Sequence, residues 1–203
     1  MATYTPRDRF YRKARARGLA SRAAFKIEEL IDRFKLARPG AKIIDLGCAP
    51  GGWLKILVRA AGPHGTVVGV DLAECRMPGV ITIAGDIRDA AVAAAVAEQL
   101  GGLADLITSD LAPKLSGIAA RDQARSRELV EAALGLADRL LRPGGAMVAK
   151  LFMGADFDSI VAEFRRSFSS VQIARTEATR PGSAELYIVA RDFRAPRRGD
   201  PRA

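Results

Sequence analysis

The sequence is poor in the residues on which metal and nucleophile chemistry most often rests. Of 203 residues, two are cysteine (Cys48 and Cys75) and one is histidine (His64). Three such side chains cannot complete a Cys/His zinc set, and no metal site is expected. A Ser-His-Asp or Cys-His reaction centre is also disfavoured, because His64 sits in the turn-like run Gly62-Pro63-His64-Gly65. Any proton transfer therefore falls to Lys, Asp or Glu. Long apolar runs are missing too, and nothing approaches the roughly 18 uninterrupted apolar residues that a membrane span needs. The first twenty residues are basic and lack an apolar h-region, so they do not read as a secretory signal. With neither export signal nor disulfide framework, a cytoplasmic protein away from membranes is expected. No internal repeat or low-complexity run interrupts the chain.

What is present is an ordinary core with an unusual charge. Apolar residues make up 49% of the chain, too many for a disordered protein. A chain of this length suits one domain and buries about two-thirds of its unfolded surface, so it needs no disulfides. The net charge is +9, and the excess lies at the ends. Residues 1–22 hold seven Arg or Lys (Arg7, Arg9, Arg12, Lys13, Arg15, Arg17, Arg22) against Asp8. Residues 191–203 hold five Arg against Asp192 and Asp200. The stretch between carries 20 basic and 20 acidic side chains. A compact neutral body of this kind suits a monomer.

Short Val/Ile/Leu runs alternate with longer helical patterns, which indicates an α/β fold with a mostly parallel sheet and helices on both faces. Ser21 is the expected N-cap of a first helix, with Ala24, Ile27, Leu30, Ile31 and Phe34 on one apolar face and Pro39-Gly40 as its end. Further helices are expected over Trp53–Ala61, Asp89–Leu100, Asp122–Leu141 and Phe157–Ser167. Seven strands are expected over Lys42–Leu46, Thr66–Val70, Val80–Ala84, Ala104–Ser109, Ala146–Phe152, Val171–Arg175 and Glu185–Ala190. No helix pattern lies between the last two, where the turn run Arg180-Pro181-Gly182-Ser183 stands instead, so the last strand is expected to be antiparallel. Ligands in such sheets bind at the carboxyl ends of the strands.

Asp45-Leu46-Gly47-Cys48-Ala49-Pro50-Gly51-Gly52-Trp53 runs from the first core strand into a helix. Its glycines let the backbone approach a ligand, and the helix beyond offers free N–H groups. The next strand ends at Asp71, twenty residues after Gly51, where a carboxylate can accept from a ribose diol. The third strand ends in Gly85-Asp86. A rim of acids suits a positively charged nucleoside. A tight βα turn with incidental acids would use the same residues. The G-x-G-x-x-G spacing of a dinucleotide fold is absent.

That loop resembles the S-adenosylmethionine loop of the FtsJ/RlmE family of 23S ribosomal RNA (uridine-2′-O-)-methyltransferases. In the family's order, so do Ser21-Arg22-Ala23-Ala24-Phe25-Lys26, Gly85-Asp86-Ile87-Arg88-Asp89, the segment from Ser109-Asp110 to Ser116-Gly117, Lys150-Leu151-Phe152, and Ser183-Ala184-Glu185-Leu186-Tyr187. The resemblance covers about residues 7–191. It implies a Rossmann-like class I methyltransferase fold, S-adenosyl-L-methionine as cofactor, and a Lys-Asp-Lys-Glu tetrad at Lys26, Asp110, Lys150 and Glu185. It places cofactor contacts at Gly47, Gly51, Trp53, Asp71, Asp86 and Asp110, and implies 23S ribosomal RNA in a late 50S subunit as substrate. The organisation implied is a basic N-terminal arm over 1–20, one methyltransferase domain over 21–191 and a basic tail over 192–203. Two positions depart from the family: Cys48 replaces an alanine, and Lys114 replaces the asparagine of Asp-x-Ala-Pro-Asn.

The chemistry is sensible without the name. A ribose hydroxyl is a weak nucleophile and needs either proton removal or a cation that offsets its forming charge. Lys150 lies in the apolar strand Ala149-Lys150-Leu151-Phe152, where an unpaired lysine is costly, and Glu185 is flanked by Ala184 and Leu186. As a base Lys150 must be neutral, a form that a second ammonium at Lys26 would favour. Asp110 and Glu185 would favour the charged form, in which Lys150 orients the hydroxyl instead. Both roles remain open at this point, as does a structural use of each residue. The arginines of residues 1–17, interleaved with Tyr4, Phe10 and Tyr11, suit an RNA backbone and unpaired bases. A solubilising arm would have the same composition. Another RNA substrate, such as transfer RNA, or a non-catalytic RNA-binding assembly factor are the alternatives.

Overall fold

The computed structural model describes residue 16 and residues 22–114, 116–180 and 182–195. The expected Ser21 cap, most of the basic arm, Leu115, Pro181 and the end of the tail fall outside those residues.

Seven strands form one sheet. They are β1 (Lys42–Leu46), β2 (Thr66–Asp71), β3 (Ile81–Ala84), β4 (Ala104–Ser109), β5 (Leu141–Phe152), β6 (Phe168–Ala174) and β7 (Glu185–Phe193). Their order is β3-β2-β1-β4-β5-β7-β6. β1 to β5 pair in parallel, and β7 is antiparallel to both β5 and β6. The expected last strand thus inserts between its predecessors. The order reverses at β1, where β2 and β4 flank it, and opens a crevice at the strands' carboxyl ends.

Helices α1 (Ala23–Phe34), α2 (Leu54–Ala61), α3 (Ala90–Leu100), α4 (Ala119–Leu140) and α5 (Phe157–Ser167) cover the sheet. The period of two along each strand sorts the core into two layers. Ile43, Leu106, Val148, Tyr187 and Val189 join α1 and α2 on one face. Ile44, Ile107, Met147, Ala149 and Ile188 join α3, α4 and α5 on the other. Each face buries apolar surface at about 25 cal/mol per Å², the main force holding the three layers.

The boundaries depart from expectation where side chains or the sheet override local pattern. α1 stops at Phe34 rather than near Pro39, because Lys35 is left-handed (φ 53°) and its N–H caps the Ile31 carbonyl. α4 begins three residues early, at Ala119. There the Asp122 carboxylate accepts from Ser116 N (2.8 Å), Ser116 Oγ (2.7 Å) and Gly117 N (3.2 Å), folding the preceding loop over the helix start. β5 begins at Leu141, which pairs with Ala104 before the register shifts. β7 runs through Asp192 to Phe193, whose buried ring packs 5.2 Å from Phe168. The sheet therefore reaches two residues into the stretch read as a tail.

Candidate active site

The loop after β1 is built to bring two strand ends together. Gly47 adopts φ +78°, and a Cβ there would lie 3.1 Å from Leu111 N and 3.2 Å from Asp110 C. Only glycine allows the β1 loop to sit so close to the β4 loop. Asp110 N donates to Leu46 O at 2.9 Å and keeps the two ends in register. The Asp71 carboxylate accepts from Ala49 N (3.0 Å) and from Ala73 N (2.9 Å), tying the β2 end to the same loop. A Cβ on Gly51 would touch Met77 Cε at 3.0 Å. Gly47, Cys48, Ala49, Pro50 and Asp110 line a small cavity at the crevice.

Trp53 and Asp86 are placed differently from simple contact residues. The Trp53 side chain is buried, its Nε1 donates to Ala23 O at 3.0 Å, and its ring lies 5.9 Å from that of Tyr187. It joins the loop to the first residue of α1. Asp86 is gripped by Arg88, whose Nε and NH2 donate to its two oxygens at 2.6–3.1 Å. The Arg88 hydrogen bonds hold the Asp86 carboxyl down to about 2.

Beside this loop, two amine–carboxylate pairs converge from four elements. Lys26 Nζ, on α1, donates to Glu185 Oε1, at the start of β7, at 2.5 Å. Lys150 Nζ, on β5, donates to Asp110 Oδ1 at 2.9 Å and to the Asp110 carbonyl at 2.7 Å. Tyr187 stands between the pairs. It faces Lys150 across the β5–β7 ladder, donates its hydroxyl to Glu185 Oε1 (3.1 Å), and lies 5.8 Å from Lys26 Nζ. Thr179 Oγ1 also reaches Glu185 Oε1, at 3.4 Å. Lys26, Asp110, Lys150 and Glu185 are thus brought into one polar cluster within apolar surroundings.

Burial raises the Asp110 carboxyl, and the Lys150 ammonium beside it opposes that rise. Burial, with Asp110 and Glu185 close by, also pushes the Tyr187 phenol up. Beneath the loop, Asp45 is fully buried, and burial raises it to about 8. Thr108 Oγ1 lies 2.7 Å from its Oδ1, while Oδ2 has no partner among the described residues. Asp45, the acid of the first strand end, thus lies beneath the rim rather than on it, and Tyr187 joins the cluster beside Glu185. Tyr187 carries a signal in its spacing from Glu185, which puts both on one strand face, and Arg88 carries one in the run Gly85-Asp86-Ile87-Arg88-Asp89; Thr179 carries none. Among the described residues no three His, Cys, Asp or Glu side chains form a metal-holding group, and no helix is long and apolar enough to cross a membrane.

A family model described as FtsJ-like methyltransferase matches residues 19–193. The chain belongs to that family. It is 45% identical over 196 residues to the ribosomal RNA large subunit methyltransferase E of Myxococcus xanthus, covering 95% of this chain and 92% of that relative. It is 41% identical over 195 residues to the protein of the same name from Syntrophobacter fumaroxidans, covering 95% and 98%. Among solved structures, a Plasmodium falciparum protein described as a ribosomal RNA methyltransferase superposes with a TM-score of 0.76 at 26% identity, over 85% of this chain and 97% of that one. The fibrillarin/Nop5p complex matches at 17% identity with a TM-score of 0.56 and shares the fold alone. In this FtsJ-like methyltransferase, therefore, the Rossmann-like sheet with its antiparallel last strand is the family architecture, and both amine–carboxylate pairs lie at its carboxyl rim.

Proposed function

We propose that this methyltransferase uses S-adenosyl-L-methionine to methylate a uridine ribose 2′-oxygen in 23S ribosomal RNA of the 50S subunit, acting as a cytoplasmic monomer late in assembly. The relatives' names support the large-subunit RNA. The observation that carries the chemistry is the convergence of Lys26, Asp110, Lys150 and Glu185 from α1, β4, β5 and β7.

The loop fits the cofactor. Gly47, Cys48, Ala49 and Pro50 form a small-residue cradle, and the close approach that Gly47 allows between the β1 and β4 loops sets Asp110 on its wall. Asp71 keeps spare lone pairs for a ribose diol, since each oxygen accepts one backbone N–H. Gly47, Gly51 and Asp110 would line the cofactor, Asp86 would serve through its outer lone pairs, and Trp53 would act by positioning the loop. When bound, the cofactor supplies a methyl carbon made electrophilic by its sulfonium.

Lys150 would handle the ribose hydroxyl. Two of its Nζ valences point at Asp110 O and Oδ1. A neutral amine so held keeps its lone pair for the hydroxyl proton. Lys150 would take that proton as the oxygen–carbon bond forms and the carbon–sulfur bond breaks, so that the positive charge lost at sulfur is gained at the amine. Asp110 fixes the amine, and Lys26 with Glu185 and Tyr187 packs α1 against β7, closing the wall of the acceptor site. The full chain, incubated with methyl-labelled cofactor and hypomethylated 50S subunits, should label a single 23S ribose. Cofactor binding without label transfer would sink this reading, and labelling of transfer RNA instead would move it to another substrate.

A further inference from the structure

A cavity of about 250 Å³ opens between the amino-terminal half of α4, the first turn of α5 and the carboxyl end of β5. Neither Lys150 nor Asp110 lines it, so it is separate from the amine–carboxylate cluster. Pro113, Leu151, Phe152, Phe157 and Ile160 form its apolar wall. Gln123 and Ser126 also line it, and each can donate and accept hydrogen bonds.

The charges around it are arranged against an anion. Asp122 and Asp156 border the opening. Among the described residues that line it the one cation is Arg127, already engaged with Glu131 (2.7 Å), Glu163 (2.5 Å) and Ser159 Oγ (2.6 Å). A phosphate would meet two carboxylates and a guanidinium already committed to other partners. A flat, neutral heteroaromatic group meets apolar walls on its faces and an amide and a hydroxyl at its edge.

Two residues join this cavity to the acceptor site. Pro113 lies three residues past Asp110. Phe152 lies two residues past Lys150 on the same strand face, with its ring centroid 5.9 Å from Lys150 Nζ. Phe152 stays 38% exposed, a large aromatic that lines the cavity and is open to solvent. A strand whose ribose reaches Lys150 therefore passes its neighbouring nucleotide over Phe152. Unpaired RNA bases are recognised by stacking on such rings and by hydrogen bonds along their edges.

We propose that the cavity receives the unstacked base of the nucleotide adjoining the methylated one, with Phe152 as its stacking platform and Gln123 and Ser126 at its edge. This rests on the reading of the chain as an RNA ribose methyltransferase. It makes the α4–α5 cavity a substrate-selecting site, distinct from both the cofactor loop and the basic ends.

The test measures steady-state transfer from labelled cofactor to hypomethylated 50S subunits by the full chain. Phe152→Ala should raise KM for the particle about tenfold, within the range measured for losing a stacked base. Phe152→Trp should restore it. Ser126→Phe, which fills the cavity, should raise KM similarly. Cofactor affinity by calorimetry and the melting temperature should stay at wild-type values in the Phe152 variants. Wild-type KM in both Phe152→Ala and Ser126→Phe overturns the proposal while leaving the function intact, and would assign the cavity to something other than RNA. A wild-type chain that transfers no methyl group to these particles overturns both readings together.

Discussion

Lys26 Nζ and Glu185 Oε1 meet at 2.5 Å across 159 residues of chain, with side chains only 13% and 14% exposed. This pair clamps α1 to the start of β7. Removing one partner leaves a nearly buried charge unmatched, which costs more than the pair contributes when intact. Glu185→Ala should therefore lower the unfolding free energy by about 3 kcal/mol in urea titrations. The double variant Lys26→Met/Glu185→Leu should recover most of that loss while remaining inactive. Equal stability of the single and double variants would show that the charges do not couple.

Lys150 is the residue on which transfer should depend most steeply. Lys150→Ala should reduce the single-turnover rate by about 10²–10⁴-fold, the usual weight of a general base. Cofactor binding by calorimetry should be unchanged, because the loop after β1 is held by Asp71 and by the backbone, whereas Lys150 Nζ is bonded to Asp110 at the end of β4. Lys150→Arg separates the two roles that the residue pattern leaves open. Arginine keeps the charge and the donors but does not give up its proton. It should be as inactive as alanine; activity within tenfold of wild type would mean that the side chain orients rather than deprotonates.

Asp45 links stability to pH in an unusual direction. Its carboxyl rises from 3.8 to about 8 on folding, chiefly through burial. The folded chain thus holds a proton that the unfolded chain releases, so stability falls as pH rises between those values. Above about pH 8 both forms are ionised and the decline stops. Asp45→Asn keeps the shape and a partner for Thr108 but cannot ionise. Its stability relative to wild type should grow steadily from pH 5 to pH 8 in denaturant titrations, and a pH-independent difference would exclude a protonated Asp45.

Much of this architecture is legible in the residues, and the exceptions have physical causes. Short β-branched runs mark β1 and β4 to the residue, because buried parallel strands leave no room for polar alternation. Lys150 and Glu185 stand out as charges inside apolar strands, which marks each as needing a partner, but the structure pairs them with Asp110 and Lys26 rather than with each other. The grip of Arg88 on Asp86 and the bond from Trp53 to Ala23 depend on rotamers and on distant chain, which no spacing encodes. The early start of α4 needs Asp122 to reach back to Ser116 and Gly117, the reverse of the forward-looking N-cap pattern. The extension of β5 through Pro143-Gly144-Gly145 is imposed by its pairing at Leu141, against the turn tendency of those residues.

Gly47 offers a test of the cofactor loop that spares every charged residue. At φ +78° an alanine is strained, and its Cβ would press on Leu111 N at 3.1 Å. Gly47→Ala should destabilise the fold by about 1–3 kcal/mol. It should also weaken S-adenosylmethionine binding, because the β1 and β4 loops can no longer approach. Unaltered calorimetric affinity in a folded variant would remove Gly47 from the cofactor site.

The basic arm should be separable from the chemistry. Residues 1–17 carry six of the chain's Arg and Lys side chains against a single acid, whereas the long central stretch is neutral. Cations that neutralise phosphates release counterions, so each such contact adds about 0.7–0.9 to the slope of log affinity against log salt. Deleting residues 1–17 should flatten that slope by several units and weaken RNA binding most at low salt. Cofactor affinity should not change, since Gly47, Asp71 and Asp110 belong to the sheet's own loops. A truncated chain with the full salt slope would place RNA attraction elsewhere, whereas parallel loss of cofactor affinity would show that the arm supports the fold rather than the substrate.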